Sequence, residues 1–189
     1  FSKKVSGEEL CPGQEYRFLV IDYVVRAIAW REPANVSGDG KSSIQQLVNE
    51  KNKGRGTDYT HPLLKINIDE EVIRHLNALS MTTETILKNG EKVYLRKNSN
   101  LSTGGDSIDV TDDIPEFYKN VAVEAAKSAG LKIAGIDIII KDMEQPATHD
   151  NYIVVELNAP AMLSMHDYPY IGKNRHVEKY VLDSILNSK

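Results

Sequence analysis

Two short apolar stretches decide the fold of this chain: Ile136-Asp137-Ile138-Ile139-Ile140 and Tyr152-Ile153-Val154-Val155-Glu156-Leu157-Asn158. Each is rich in β-branched residues and predicts a buried strand. Each also carries acidic or amide side chains, although a carboxylate removed from water costs several kcal/mol unless it is paired or bound to a metal. The main functional question that the sequence raises is therefore which charged group or metal ion accompanies these polar side chains.

Strand alternation predicts where the polar side chains point. Residues i and i+2 share a face of a strand, so Glu156 and Asn158 point the same way. Tyr152 and Val154 are expected behind them on the same face. If the two strands pair with these faces matched to Asp137, two carboxylates and an amide oxygen converge. Such a set suits Mg²⁺ that also binds phosphates. The alternative is that Asp137 is a turn residue at a strand end and Glu156 is salt-bridged.

The composition is that of a soluble globular protein, with 41% hydrophobic and 26% charged residues in a chain of 189. The net charge of −4 comes without a block of like charges, which argues against nucleic-acid or membrane-surface binding. The single cysteine, Cys11, cannot form an internal disulfide and favours a cytoplasmic location. No apolar run approaches the ~20 residues of a membrane span. Because the chain starts at Phe1 rather than Met, we expect a fragment of a longer protein.

Hydrophobic periodicity and turn signals predict the element order hairpin, helix, linker, helix, strand, loop, helix, two strands, helix. The hairpin covers residues 15–30, with its turn near Asp22-Tyr23. Residues 49–62 form a long polar connection, of a kind that is usually functional or disordered. Thr111-Asp112-Asp113 is expected to cap the third helix, with Pro115 in its first turn. Hairpins and short loops favour an α+β domain, with a mostly antiparallel sheet and its helices segregated to one face.

The loop at residues 98–107 is small, polar and glycine-paired, with the sequence Asn98-Ser99-Asn100-Leu101-Ser102-Thr103-Gly104-Gly105-Asp106-Ser107. Its backbone N–H groups are placed to bind an anion, and an ordinary surface turn is the alternative. A second loop, at residues 159–166, follows the last strand and contains His166. That histidine lies near enough in sequence to border the metal site, although a plain loop histidine is the simpler explanation.

Three arginines add the cations that a phosphate site needs. Arg17, Arg31 and Arg96 each lie on or next to a predicted strand, and the fork-shaped guanidinium is a preferred phosphate donor. A metal held by carboxylates and an amide is typical of phosphoryl chemistry. The sequence has no Walker A motif, no Gly-x-Gly-x-x-Gly and no zinc-ligand spacing. Any nucleotide is therefore bound without a P-loop.

Several blocks of sequence, taken in order, resemble the second half of an ATP-grasp ligase. The blocks are Arg31–Gly40, Arg55-Gly56 with His61-Pro62-Leu63, Tyr94–Asp109, Gly135-Ile136-Asp137, and Glu156-Leu157-Asn158-Ala159-Pro160. The strongest resemblance is to the glutathione synthetase module of bacterial bifunctional γ-glutamylcysteine synthetase–glutathione synthetases. Cyanophycin synthetase shares nearly all of the blocks. The resemblance implies that residues 15–189 form the C-terminal ATP-grasp domain, with an inserted segment at about 49–91, and that residues 1–14 belong to the preceding subdomain.

The resemblance also implies a role for each candidate residue. Asp137, Glu156 and Asn158 would hold Mg²⁺ or Mn²⁺, as two ions, against the phosphates of ATP. Arg31 and Arg96 would be catalytic, facing the phosphates and an acyl-phosphate. The residues expected to bind the phosphate or the substrate are Arg17, Asn100, Ser102, Thr103, Gly104 and Gly105.

The implied reaction has two steps. ATP phosphorylates the C-terminal carboxylate of γ-glutamylcysteine, and the amine of glycine then displaces phosphate to give glutathione. In the family, the rest of the ATP site precedes the strand at Glu15. We therefore expect an upstream domain of the same polypeptide as the partner, and an inactive chain when it is isolated. The alternatives are a cyanophycin-type ligase, a regulatory nucleotide- or cation-binding module without chemistry, and a scaffold that binds neither. Whether the protein forms a homodimer is left open.

Overall fold

The computed structural model describes residues 11–58, 61–159 and 161–187. Most of the expected upstream remnant, residues 1–14, lies outside the described residues. The strands are β1 (Gln14–Ile21), β2 (Val24–Glu32), β3 (Asn35–Ser37), β4 (Lys92–Tyr94), β5 (Asp106–Asp109), β6 (Ile133–Ile140) and β7 (Tyr152–Asn158). The helices are α1 (Ile44–Lys51), α2 (Glu70–Ala78), α3 (Glu116–Ser128), α4 (Ser164–Asp167) and α5 (Val177–Leu186).

The main sheet has five strands in the order β5-β2-β1-β6-β7, and each neighbouring pair is antiparallel. β1 and β2 form the predicted hairpin. Its turn lies at Asp22 and Tyr23, whose φ angles of 51° and 59° are left-handed. Strands β1 and β6 then pair in continuous register from Gln14↔Ile140 to Ile21↔Ile133. This central pair aligns Arg17 with Asp137, and the predicted antiparallel α+β architecture is confirmed.

The two faces of the sheet are covered differently. α3 packs on one face, against Phe18 and Ile136 in the largest hydrophobic cluster. We call the other face, which carries Arg17, Ala29 and Asp137, the arginine face. Its lower part is covered by α5, whose Val177 packs on the central strands, and its upper part by α4 and the loop at residues 98–105. Helices therefore lie on both faces, and the expectation that they are segregated to one was wrong.

A small lobe with its own core follows β2. It comprises the two-stranded sheet β3–β4 and the helices α1 and α2. Ser43 caps α1 in a reciprocal capping box with Gln46. Asp69 caps α2 by accepting hydrogen bonds from the backbone of the first helical turn. The core of this lobe consists of Ala34, Val36, Ile44, Val48, Ile66, Val72, Leu76, Leu87, Val93 and Leu95. The lobe includes residues of the expected inserted segment at about 49–91, whose bounds stay a prediction.

Strand β7 is an edge strand, not a buried one. Ile153 and Val155 are 44% and 54% exposed, because no strand of the described chain pairs with the outer side of β7. Its register against β6 shifts between Asp137↔Glu156 and Ile138↔Val154, so Val155 is the extra residue of a β-bulge. The prediction of the strand was correct, and the prediction of its burial was wrong.

Two further predictions of local structure were wrong. Thr111 does not cap α3, because its hydroxyl accepts a hydrogen bond from Ile28 N at 2.8 Å and donates to Asp109. Pro115 stands at the N-cap of that helix instead. The loop expected at residues 159–166 contains the start of the short helix α4. Gly130, with φ of 68°, follows the C-cap of α3.

Candidate phosphate and metal site

The centre of the arginine face is an ion pair between neighbouring strands. Arg17 on β1 donates from Nη2 to Asp137 Oδ2 at 2.8 Å and from Nε to Asp137 Oδ1. Both residues are buried, with 7% and 1% of their surface exposed. Arg31 on β2 adds a third hydrogen bond, from Nη2 to Asp137 Oδ2 at 3.1 Å. The buried carboxylate is thus stabilised by two guanidinium groups, which meets the physical requirement for burying it.

Gly135 makes room for this pair. A Cβ atom at this position would lie 2.9 Å from Arg17 Cδ and 3.1 Å from Arg17 Nη1. Any other residue would therefore push against the arginine where it crosses from β1 toward Asp137. The requirement for glycine is steric, and it comes from the neighbouring strand.

Glu156 and Asn158 reach the same place from β7. Glu156 is the register partner of Asp137, and Asn158 is the register partner of Gly135. The Asn158 amide can be oriented in two ways. In one, Nδ2 donates to Asp137 Oδ2 at 3.4 Å. In the other, Nδ2 donates to Glu156 Oε1 at 2.9 Å and Oδ1 accepts from Arg17 Nη2 at 3.2 Å, which satisfies both ends of the amide and is favoured.

The structure therefore brings Asp137, Glu156 and Asn158 together. It does so by a different route from simple alternation. The bulge at Val155 places Val154 on the α3 face, where Tyr152 and Val154 pack against the main core. Beyond the bulge, Glu156 and Asn158 lie on the arginine face. The expectation that all four side chains share one face was wrong, because one inserted residue reverses the alternation.

The donor set fits a hard divalent cation that arrives with its phosphate ligands. Two carboxylates and an amide oxygen are the oxygen ligands that Mg²⁺ accepts. Among the residues the structure describes, however, no group of three or more His, Cys, Asp or Glu side chains is arranged as a metal cage. Asp137 is shared with arginines, and Glu156 is exposed. Since Mg²⁺ commonly uses one or two carboxylates plus substrate phosphates, an incomplete protein ligand set suits this ion.

A cavity of about 620 Å³ opens beside the cluster. Its walls include Glu15, Arg31 and Glu156 from the sheet, and Lys97, Asn98 and Asn100 from the loop. Glu15 joins the two walls, because it forms an ion pair with Arg31 and accepts a hydrogen bond from Ser99 Oγ. Glu15 was not among the residues expected at the site. Its position two residues before Arg17, on the same strand face, is the signal that identifies it.

Three of the amides that the glycine loop could offer to an anion are used within the loop, and anion binding there stays a prediction. The N–H groups of Thr103, Gly104 and Gly105 all donate to carbonyls within residues 100–101. Gly104 has φ of 94°, and a Cβ atom there would lie 2.6 Å from Ile66 Cγ1. The glycine is thus explained by the backbone turn and by close packing on the small lobe. Asn100 lines the cavity, whereas the side chain of Thr103 bonds back to Asn98 and Asn100.

Ser102 lies on a second, smaller cavity of about 380 Å³. Leu101, Met162 and Leu64 line this cavity too. The loop at residues 98–105 therefore separates two cavities, with Asn100 facing one and Ser102 facing the other.

Arg96 does not join the cluster around Asp137. Its guanidinium is buried in the small lobe, where Nη1 bonds Glu71 and Nη2 bonds Asp69 at the start of α2. The catalytic role that the resemblance implies for Arg96 stays a prediction, since these contacts hold it beside α2. The sequence around an arginine beside a strand end is the same whether the side chain faces a ligand or contacts the start of a neighbouring helix.

A buried ionic network fixes the loop from below. Asp106 is fully buried, and it pairs with Arg55 and with Lys51, whose Nζ lies 2.7 Å from Asp106 Oδ2. Arg55 also donates from Nη1 to Gly104 O at 3.0 Å. These contacts tie the loop to α1 and to the polar connection at 49–62, which gives that connection a structural role. Arg55 and Asp106 both lie in the sequence blocks quoted above, but their contact with each other was not anticipated.

His166 is a buried residue of α4, not a plain loop histidine. It is 2% exposed, and its Nε2 has no hydrogen-bond partner in the described part of the chain. Burial, and to a smaller extent the nearby charge of Arg17, lower the pKa of His166 to about 3 against the opposing effect of Asp109. The backbone N–H of Arg175 donates to His166 O, and Arg175 is in turn clamped by Asp109 and Asp112. The imidazole is therefore a neutral neighbour of the Arg17–Asp137 pair.

Comparison with known proteins now places the chain in a family. Residues 78–181, more than half of the chain, match a family model described as a RimK-like ATP-grasp domain. The chain belongs to the RimK-like ATP-grasp family. Membership of an ATP-grasp family implies the use of ATP, and it confirms the resemblance and the fold that the sequence blocks indicate.

Individual proteins are similar to the chain over most of its length. The chain is 45% identical over 180 residues to the glutathione biosynthesis bifunctional protein GshAB of Desulfotalea psychrophila, covering 94% of this chain and 23% of that protein. It is 47% identical over 182 residues to the protein of the same name from Clostridium perfringens, with 95% and 23% covered. The crystal structure of a bifunctional glutathione synthetase from Pasteurella multocida superposes with a TM-score of 0.84 at 39% identity, over 94% of this chain and 24% of that one.

The chain spans about a quarter of the length of the relatives it matches. The activities of those whole proteins therefore cannot be assigned to this segment alone. Within the part of the chain that is described, no helix has the length and apolar character needed to span a membrane.

Proposed function

We propose that this chain is the phosphate- and metal-binding part of an ATP-dependent carboxylate–amine ligase of the glutathione synthetase type. One observation carries the proposal: Asp137 is shared by Arg17 and Arg31 beside Glu156 and Asn158, at the edge of an open cavity. Anions, cations and an amide are gathered there on a rigid sheet, in a chain 45% identical to a named glutathione biosynthesis protein. A triphosphate with its divalent cation needs such a combination.

Asp137, Glu156 and Asn158 are the residues that would hold Mg²⁺ or Mn²⁺. When bound, the cation neutralises charge on the phosphates of ATP. Glu156 faces the cavity and is exposed, so it is the ligand most accessible to an incoming ion. Asp137 lies behind it and also orients Arg17 and Arg31. We infer room for two ions only from the family resemblance.

Arg31 is the proposed catalytic residue. It lines the cavity, and its guanidinium is held by Glu15 on one side and by Asp137 on the other. In the first step, a carboxylate oxygen of γ-glutamylcysteine takes the γ-phosphoryl group, and ADP leaves. In the second, the amine of glycine attacks the acyl carbon, phosphate leaves, and the nitrogen loses a proton. A fixed cation beside the transferred group stabilises the negative charge that develops in both steps.

We propose that the missing half of the ATP site belongs to an upstream domain of the same polypeptide, in the cytoplasm. The coverage of about a quarter of each relative supports this, as does the open side of the 620 Å³ cavity. The isolated chain is then expected to fold but not to form glutathione. Robust synthesis by these 189 residues alone would contradict this part of the proposal.

The direct test uses the full-length polypeptide. We expect it to form glutathione, ADP and phosphate from γ-glutamylcysteine, glycine and ATP, measured by chromatography and by release of phosphate. A parallel assay supplies β-aspartyl-arginine primers with aspartate or arginine, the substrates of the cyanophycin type. Turnover with those primers only would contradict the proposal and indicate a ligase of the cyanophycin type. No turnover with either set, together with retained nucleotide binding, would indicate a regulatory module.

A further inference from the structure

We propose that Arg55 is a positioning residue of the ligase reaction, because its buried guanidinium sets where the loop at residues 98–105 lies relative to Arg31. This inference rests on the proposed function and names a residue outside the phosphate cluster. Asn98 and Asn100 of the loop line the cavity of about 620 Å³, and so does Arg31 of β2. A substrate bound between these walls therefore meets a geometry that depends on how the loop is held.

The loop has no ionic anchor of its own, since residues 98–105 contain no acidic or basic side chain. Arg55 supplies one from outside. Its Nη1 donates to Gly104 O at 3.0 Å and to Gly105 O at 3.4 Å. The same atom donates at 3.0 Å to the carbonyl of Leu64, which lies two residues before Ile66 in the core of the small lobe. A single guanidinium, 1% exposed, thus joins the loop to the lobe.

The way in which Arg55 divides its donors favours the loop over its ion pair. Arg17 binds Asp137 through both Nε and Nη2, which is the strong two-point arrangement of an arginine with a carboxylate. Arg55 gives Nη2 to Asp106 and directs Nη1 to the carbonyls. Its Nε has no hydrogen-bond partner among the described residues. The guanidinium is therefore oriented for the loop carbonyls at the expense of two-point pairing with Asp106.

A displacement at the held carbonyls would reach the cavity wall. The N–H group of Gly105 donates to Asn100 O at 3.2 Å, and Asn100 lines the cavity. The loop is also closely fitted on both sides. A Cβ atom at Gly104 would lie 2.6 Å from Ile66 Cγ1 in the small lobe, and one at Gly105 would lie 3.0 Å from Glu32 O at the end of β2. Arg55 thus acts on a tightly packed segment that is bonded directly to the cavity residue.

Lys51 provides a matched comparison. Its Nζ lies 2.7 Å from Asp106 Oδ2, so Lys51 and Arg55 share one buried carboxylate. The other hydrogen bonds of the ammonium group go to Asn35, at its backbone oxygen and at Oδ1. Lys51→Met therefore removes a cation from Asp106 and leaves the contacts between Arg55 and the loop in place.

The experiment compares Arg55→Lys and Lys51→Met in the full-length polypeptide, at a temperature where urea unfolding shows each protein to be folded. Arg55→Lys keeps a positive charge for Asp106 but lacks the planar fork that reaches the carbonyls. We expect its kcat for glutathione formation to fall roughly 10–100-fold, because a small misplacement of a binding wall is costly. KM for ATP should stay within about threefold, since the cluster at Asp137 is unchanged. Lys51→Met should keep both constants within about threefold of wild type.

Amide hydrogen exchange of the same proteins follows the loop without turnover. In Arg55→Lys, peptides covering residues 98–105 should exchange roughly tenfold faster, while peptides from α3 keep their rate. Arg55→Gln is a second variant, in which Asp106 retains Lys51 as its partner, so misfolding of one variant leaves the other to decide.

A folded Arg55 variant with wild-type kcat would overturn the inference, as would unaltered exchange of the loop or an equal loss of kcat in Lys51→Met. The proposed function fails by a different result, in which the wild-type polypeptide makes no glutathione from γ-glutamylcysteine, glycine and ATP.

Discussion

Arg17 and Asp137 are register partners on the central strands β1 and β6, and their side chains form a two-point ion pair that is buried on the arginine face. The pair joins folding to function. It compensates a carboxylate in the middle of the sheet, and it places a guanidinium and that carboxylate beside the proposed phosphate site. A buried pair contributes less to stability than the loss of either partner costs, so single and double substitutions can separate its structural role from the proposed functional one.

The first prediction separates these two roles. Asp137→Leu or Arg17→Met alone should lower the free energy of unfolding by about 3–5 kcal/mol, because each removes the main partner of a buried charge. The double variant should be less destabilised than either single one. Urea unfolding of the three proteins checks this double-mutant cycle.

Turnover should not recover with stability. If Asp137 is a metal and phosphate residue, the double variant remains without ligase activity, and Asp137→Asn in the full-length polypeptide lowers kcat by roughly 10²–10³-fold. A stable double variant with wild-type turnover would show that the pair is structural only.

The second prediction concerns the space that Gly135 provides. Gly135→Ala places a methyl group 2.9 Å from Arg17 Cδ, so the arginine must move away from Asp137. We expect kcat of the full-length polypeptide to fall roughly 10²-fold, because a misplaced cation no longer matches the charge that develops on the phosphoryl group. Steady-state phosphate release measures the effect.

Gly54→Ala is the control for that substitution. A Cβ atom at Gly54 meets no other heavy atom within 4 Å, and Gly54 lies away from the cluster in the small lobe. It should leave kcat unchanged. Equal losses in both variants would mean that the fall at Gly135 reflects general destabilisation.

The convergence of Asp137, Glu156 and Asn158 could be anticipated because the cost of burying charge limits where acidic residues occur in strands. The bulge at Val155 could not, since no glycine or other local signal marks it. The exposure of β7 could not be anticipated from the sequence either. A run of valine and isoleucine reads as buried whether its outer side is covered or open, and burial depends on neighbours that the run itself does not encode.

Side-chain partners were harder still to anticipate. Glu15 and Arg31 are far apart in sequence yet adjacent in the antiparallel sheet, so their ion pair follows only from the register of β1 and β2. Arg96 shows the opposite case. A basic residue beside a conspicuous loop suggested a ligand, but the start of α2, held nearby by the separate core of the small lobe, supplied Asp69 and Glu71 instead.

The third prediction follows from that placement of Arg96. Arg96→Met should lower the free energy of unfolding by about 1–2 kcal/mol, since its two acidic partners are half-exposed and screened by water. Glu71→Gln should produce a smaller loss of the same kind. In both variants kcat of the full-length polypeptide should stay within about threefold of wild type, as expected for contacts remote from the transferred phosphoryl group. A loss in Arg96→Met beyond a hundredfold, with stability retained, would restore the catalytic role that the resemblance implies.

The last prediction is a pH dependence set by His166. Its folded-state pKa, lowered to about 3, lies below the ordinary value of 6.5, so the unfolded chain takes up a proton in this range and the folded chain does not. The stability that this provides is complete above pH 6.5 and is lost as the pH falls toward 3. From pH 6 to pH 5, the free energy of unfolding should drop by up to about 1.4 kcal/mol per pH unit.

Urea unfolding of wild type and His166→Gln over this range isolates the effect. Asp167, whose pKa is raised by burial, is present in both proteins, so its contribution cancels. The glutamine variant should lose this part of the pH slope, and an identical slope in the two proteins would show that His166 is hydrated and titrates normally.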